Sequence, residues 1–202
     1  MGLGKASLRM TKLVDQEWEL PELPTWIVMG RSNVGKSSLL NALIHPQEIF
    51  RSGSTPGVTR GLVGAAVAMG RKEFFLLDLP GWGYAVRSAI EQESWELLGD
   101  KLESSIMHER TQIIWLADPR RSFDENEMKI LKWLGPKNWF LVFTKADQVK
   151  RSERQKTERS WAKAIEGSVE RAIWVSAKTG DGMDELMKRA RTFVRKVIED
   201  DA

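Results

Sequence analysis

Short apolar runs alternate along this chain with longer segments whose apolar residues recur every three or four positions. Residues 25–29, Thr-Trp-Ile-Val-Met, are β-branched and aromatic and too few for a helix, so they read as a buried strand. A helix is expected over 37–44. Residues 51–60 are rich in Gly, Ser, Thr and Pro and predict a long mobile loop. Two strand-like runs follow, 62–69 and 73–78, separated by Gly70-Arg71, a turn of hairpin size. The pattern then predicts helices over 91–107, 124–134, 152–165 and 183–198, with strands at 112–117, 139–144 and 172–175 between them. Leu186, Ala190, Phe193 and Val197 form the apolar stripe of the last helix.

Strands that alternate with helices imply an α/β fold, here a mostly parallel central sheet of about six strands with one antiparallel strand and helices on both faces. The polar opening stretch is interrupted by Pro21 and Pro24 and is expected to be a tail, 1–24, lying on a single domain, 25–202.

Composition narrows the chemistry. The chain has 202 residues, 42% hydrophobic and 29% charged, enough for one sizeable core. It contains no cysteine and two histidines, which excludes disulfides and thiol catalysis and argues against a structural zinc site. Its apolar stretches fall far short of the roughly 20 residues a membrane span needs. With no apolar block behind Lys5, Arg9 and Lys12, no secretory signal is expected and a cytoplasmic location follows. A net charge of +3 with pI near 9.2 suits a nucleic-acid partner without demanding one.

Between the first of these strands and its helix lies Gly30-Arg31-Ser32-Asn33-Val34-Gly35-Lys36-Ser37, followed by Ser38, which fits the phosphate-binding loop pattern in its required context. Glycine lets the backbone curl until its N–H groups converge on phosphate oxygens, and the helix adds its positive end. Lys36 would neutralise the β- and γ-phosphates, and Ser37 would offer a hydroxyl to Mg2+, a cation that prefers hard oxygen ligands.

Three further segments gain weight from their order behind this loop. Asp78-Leu79-Pro80-Gly81 ends a strand, placing a carboxylate for Mg2+ through water and a backbone N–H at Gly81 for the γ-phosphate. In the loop that contains Gly57, Thr59 is the candidate for a second metal hydroxyl, with Thr55 as its competitor. Thr144-Lys145-Ala146-Asp147 supplies a carboxylate that accepts the two adjacent donors of guanine, a pair adenine lacks. Ser176-Ala177-Lys178 closes the set, with the Ala177 N–H directed at the guanine oxygen. Each short motif alone is as readily an ordinary loop.

Taken in order, these segments resemble the translation-factor-related GTPases. The wording from Gly30 through Leu43, with Asp-Leu-Pro-Gly-Trp-Gly-Tyr-Ala at 78–85, resembles the EngB/YihA family of bacterial ribosome-biogenesis GTPases over residues 25 to about 198. That resemblance implies a GTP/GDP switch with Mg2+, acting on the large ribosomal subunit precursor and its RNA as a monomer, with a link to cell division and septation. The sequence departs from the family's usual wording at Trp82 and at 119–122. An indole at position 82 cannot orient the attacking water, so slow hydrolysis is expected. Asn33 resembles the asparagine of related GTPases that bind K+ beside the phosphates, and Arg60 is a weaker candidate for transition-state charge. Basic residues cluster at Lys188, Arg191 and Arg195 and at Lys150, Arg151, Arg154 and Arg159. Rival readings are a GTP-ordered interaction module without hydrolysis and a GTPase of another pathway.

Overall fold

A computed structural model describes residues 2–13, 18–50, 61–81, 99, 102–103, 108–134, 139–165 and 172–200. Its strands are β1 (Ala6–Leu13), β2 (Thr25–Gly30), β3 (Gly61–Met69), β4 (Lys72–Asp78), β5 (Thr111–Ala117), β6 (Trp139–Phe143) and β7 (Ile173–Trp174). The described helices are α1 (Lys36–Leu43), α2 (Glu125–Leu134), α3 (Arg151–Ala164) and α4 (Met183–Asp200). The helix expected over 91–107 lies mostly outside the described residues.

All seven strands form one sheet in the order β1-β3-β4-β2-β5-β6-β7. The pairs β2–β4, β2–β5, β5–β6 and β6–β7 are parallel, and β3 is antiparallel to both β1 and β4, so β3 alone runs against the rest. The β3–β4 connection is the expected Gly70-Arg71 turn, where Gly70 takes the left-handed φ of 69° that such turns require.

Within the stretch 1–24, Ala6–Leu13 form an edge strand, which brings the strands of the sheet to seven among the described residues. Gln47 clamps the start of that strand from the loop after α1: its amide donates to the Ala6 carbonyl at 3.0 Å and accepts the Ala6 N–H at 3.2 Å.

Successive residues of the parallel strands point to opposite faces, and each face is apolar. Trp26 and Val28 pack with α1 and α4 around Leu40, Phe74, Phe140 and Leu186, whereas Ile27 and Met29 pack with α2 and α3 around Trp115, Phe143, Leu134 and Trp161. Trp26 meets Phe74 and Phe140 edge-on and donates its indole N–H to Gln112 at 3.1 Å, so even this wholly buried ring has its polar atom satisfied. Two covered faces leave the ends of the sheet for chemistry, and the C-terminal ends of β2, β4, β5, β6 and β7 share one of them.

Candidate guanine-nucleotide site

β2 delivers the chain into a tight loop at this end. Asn33 and Gly35 have φ of 62° and 108°, reversing the backbone so that α1 starts at Lys36. The first N–H groups of α1 have no partner within the helix and point back into the loop, which is the arrangement that receives an anion. The loop's outer side is braced by the segment after β6. Thr144 donates its hydroxyl to the Val34 carbonyl at 2.7 Å, and Lys145 donates to the Asn33 carbonyl at 2.8 Å.

Lys36 is buried and its ammonium donates to the Gly30 carbonyl at 3.3 Å, folded across the loop it would serve. Burial pushes its pKa down, and the Asp78 carboxylate opposes that shift. Asp78 stands at the end of β4, 2% exposed. Burial pushes its pKa up to about 6, against the pull of Lys36 and of a 3.1 Å hydrogen bond from the Ser37 hydroxyl. Asp78 Oδ1 is buried without a hydrogen-bond partner among the described residues. A carboxylate with an unanswered oxygen beside a serine hydroxyl fits a hydrated Mg2+, whose ligands are hard oxygens. Gly81 lies against the loop, and a Cβ there would come within 2.6 Å of Lys36 Nζ and 2.8 Å of the Ser32 backbone N, so a side chain at 81 would fill the phosphate cradle. Ser32 ties the two together by donating to the Gly81 carbonyl at 3.0 Å.

The other half of the site lies at the ends of β6 and β7. Asp147 is exposed, and its Oδ1 accepts the Ser176 hydroxyl at 2.6 Å, which holds its pKa below the usual carboxylate range. Ser176 is wholly buried and its oxygen also accepts the Thr179 N–H at 3.2 Å, so the serine orients the carboxylate instead of facing outward. Each carboxylate oxygen retains accepting capacity for a base edge. Ala177 and Lys178 are exposed beside it.

Sequence reasoning missed Asp118 and Arg120. Asp118 directly follows β5; burial opposes its ionisation, but Arg120, through its side chain and backbone N–H, together with Lys145, outweighs burial and holds the carboxyl far below its ordinary pKa. Arg120 also donates to Gln148. The network fixes Lys145, at 3.1 Å from Asp118, between the phosphate loop and the base-reading loop. The available signal was an acid at the C-terminal edge of a buried strand, where Asp78 also stands.

The Arg31 side chain pairs with Asp124 at the start of α2. Asn33 and Ser38 are exposed. Gly57 and Thr59, with Thr55, Arg60, Trp82 and Tyr84, lie outside the described residues.

A phosphate cradle at the ends of β2 and β4 and a carboxylate for a purine edge at the ends of β6 and β7, on one sheet, define a GTP-binding protein of the P-loop class. Residues 25–145 match the family described as 50S ribosome-binding GTPase. The chain belongs to this family and, within it, to the EngB GTP-binding proteins, and it is a GTPase. It is 36% identical over 170 residues to the probable GTP-binding protein EngB of Desulfatibacillum aliphaticivorans, covering 82% of this chain and 80% of that protein. Its fold is similar to the crystal structure of a probable GTP-binding protein EngB, with TM-score 0.63, 19% identity and coverage of 85% and 99%. Era bound to MgGDPNP and nucleotides 1506–1542 of 16S ribosomal RNA shares the fold with TM-score 0.68 and 21% identity, over 84% of this chain and 56% of that one.

Proposed function

We propose that this protein is a slow GTPase whose nucleotide state controls its association with a precursor of the large ribosomal subunit, as a monomer in the cytoplasm. The observation that carries the nucleotide half is the buried Lys36 and Asp78, the latter hydrogen-bonded by Ser37, on the same sheet end as the Ser176-oriented Asp147. The ribosomal half is supported by the family match and by the fold shared with an RNA-bound GTPase.

In this reading the loop N–H groups from Arg31 to Ser38 enclose the phosphates. Lys36 moves from the Gly30 carbonyl to the β- and γ-phosphate oxygens, exchanging a neutral acceptor for a charged one. Mg2+ would be held by the Ser37 hydroxyl, by Asp78 through water and by Thr59, where it offsets charge developing between the β- and γ-phosphates. Gly81, bare of a side chain, brings its N–H to the γ-phosphate and thereby links that phosphate to the segment that follows. Asp147 accepts from the guanine ring N–H and amine while Lys145 and Thr144 keep the base-reading loop in register with the cradle. Because Trp82 cannot orient water, the intrinsic rate is low, and K+ held by Asn33 would supply positive charge in place of an arginine.

Sedimentation of the protein with large ribosomal subunits and their precursors tests the partner: co-sedimentation in GTP and release in GDP is expected, and equal behaviour in both contradicts the switch. Single-turnover phosphate release in KCl against NaCl tests the chemistry. Equal rates remove the K+ role, and no release removes the GTPase.

A further inference from the structure

We propose that the groove between the β3–β4 turn and the C-terminal half of α4 binds the phosphate backbone of RNA, at the end of the sheet opposite the nucleotide. The proposal rests on the RNA-partner reading above and locates its surface. The groove encloses about 280 Å³ over an apolar floor of Leu3, Met69 and Val194, and its basic side chains are Lys72, Arg191 and Arg195. Lys72 begins β4 and Asp78 ends it, so the strand alone separates groove and phosphate cradle by about 20 Å, beyond the screening length of roughly 8 Å at physiological salt.

The fold sorts the two basic clusters that the sequence offers. In the 150–159 cluster, Arg154 is committed inward: it donates to the Ala146 carbonyl at 3.1 Å and to Asp181 at 3.0 Å, and stacks over Trp174 with its guanidinium carbon 5.0 Å from the ring centroid. In the α4 cluster, Arg191 and Arg195 are exposed one turn apart, a rise of about 6 Å, and the sheet adds Lys72, nearly 120 residues away in sequence, to the same concavity. Arg195 meets Glu199 at 3.9 Å, but both side chains are about two-thirds exposed, and such a contact holds the guanidinium only weakly. Arg71 and Lys188 are exposed close by in sequence.

Cations around a narrow apolar floor suit a nucleic-acid strand, whose phosphates take the guanidinium forks while sugars and base faces cover carbon. A membrane is a poorer match, because the large hydrophobic side chain exposed among the described residues is Trp133 on α2, and this groove presents none.

The test is fluorescence anisotropy with large-subunit ribosomal RNA fragments, against anionic phosphatidylglycerol vesicles and polyglutamate, using the full chain in GTP and in GDP. The Lys72→Gln/Arg191→Gln/Arg195→Gln variant is expected to bind RNA at least about tenfold more weakly in both nucleotide states, with the salt slope reduced by about two units and GTP affinity unchanged. A Lys150→Gln/Arg151→Gln/Arg159→Gln variant is expected to retain RNA binding. RNA binding that survives the first variant, or is lost only in the second, overturns the groove while the RNA partner stands. If the wild-type chain binds GTP but no RNA, the partner reading fails and the groove with it. Binding to vesicles or polyglutamate in preference to RNA overturns the proposal in favour of those partners.

Discussion

At the C-terminal end of the sheet Lys36 and Asp78 are buried together, with one buried aspartate oxygen unanswered among the described residues; at the other end Lys72, Arg191 and Arg195 stand in solvent over an apolar floor. Removing a charge from water is costly unless something compensates, so the first end is held in a state that only a ligand completes. Exposed cations cost the fold almost nothing and act additively through long-range attraction. Buried charge thus marks a site where one residue decides, and exposed charge marks one where several share the effect.

Substitutions should separate the two ends sharply. Lys36→Ala is expected to have the largest effect, weakening GTP about 100- to 1000-fold in a fluorescent-nucleotide titration while far-ultraviolet circular dichroism stays that of the parent. A loss under tenfold would mean that the buried ammonium does not reach the phosphates. Asp147→Asn comes next. An amide offers one donor and one acceptor in place of two acceptors, so affinity for GTP should fall about 100-fold and that for xanthosine triphosphate should rise. Unchanged preference would show that the base edge is read elsewhere.

A smaller effect is expected beside the site, at Glu127. This residue and Asp124 cap α2 reciprocally: the Asp124 N–H donates to Glu127 at 3.0 Å and the Glu127 N–H to Asp124 at 2.9 Å. Burial raises the Glu127 carboxyl from 4.5 to about 7, opposed by the backbone hydrogen bond from Asp124 and by Arg31 and Arg121. Between those pH values the folded state holds a proton that the unfolded state has lost, so this group's contribution falls as pH rises from about 4.5 to about 7 and is level above. Glu127→Gln retains an acceptor and should flatten that slope, stabilising the protein on the order of 2 kcal/mol at pH 8 in urea unfolding. A parallel slope in both proteins would assign the pH dependence to other groups. At the far end, the triple glutamine variant should change GTP affinity less than about twofold, and a larger change would show that the two ends communicate.

What could be read from the sequence follows the same division. The cradle, the Gly70-Arg71 hairpin and the strand-end acids were legible because each depends on residues adjacent in the chain. Other features depend on distant partners. Ala6–Leu13 carries apolar residues at 6, 8 and 10, yet it becomes a strand only by pairing with β3, whose partner residues lie 48 to 61 positions further along the chain. Asp118 and Arg120 look like an ordinary loop until Lys145 and Gln148 are brought to them. The bond from the Ser176 hydroxyl to Asp147 joins residues 29 positions apart and depends on β6 and β7 lying side by side. The groove was invisible because Lys72 and Arg191 meet only through the packing of α4 on the sheet.

Isothermal calorimetry of the purified protein with GTP and with ATP, each in excess Mg2+, bears most directly on a single pocket that both grips phosphate and selects guanine. GTP uptake with one-to-one stoichiometry and ATP binding weaker by about four orders of magnitude is the predicted result. Equal affinities, or no heat from either nucleotide, would contradict it.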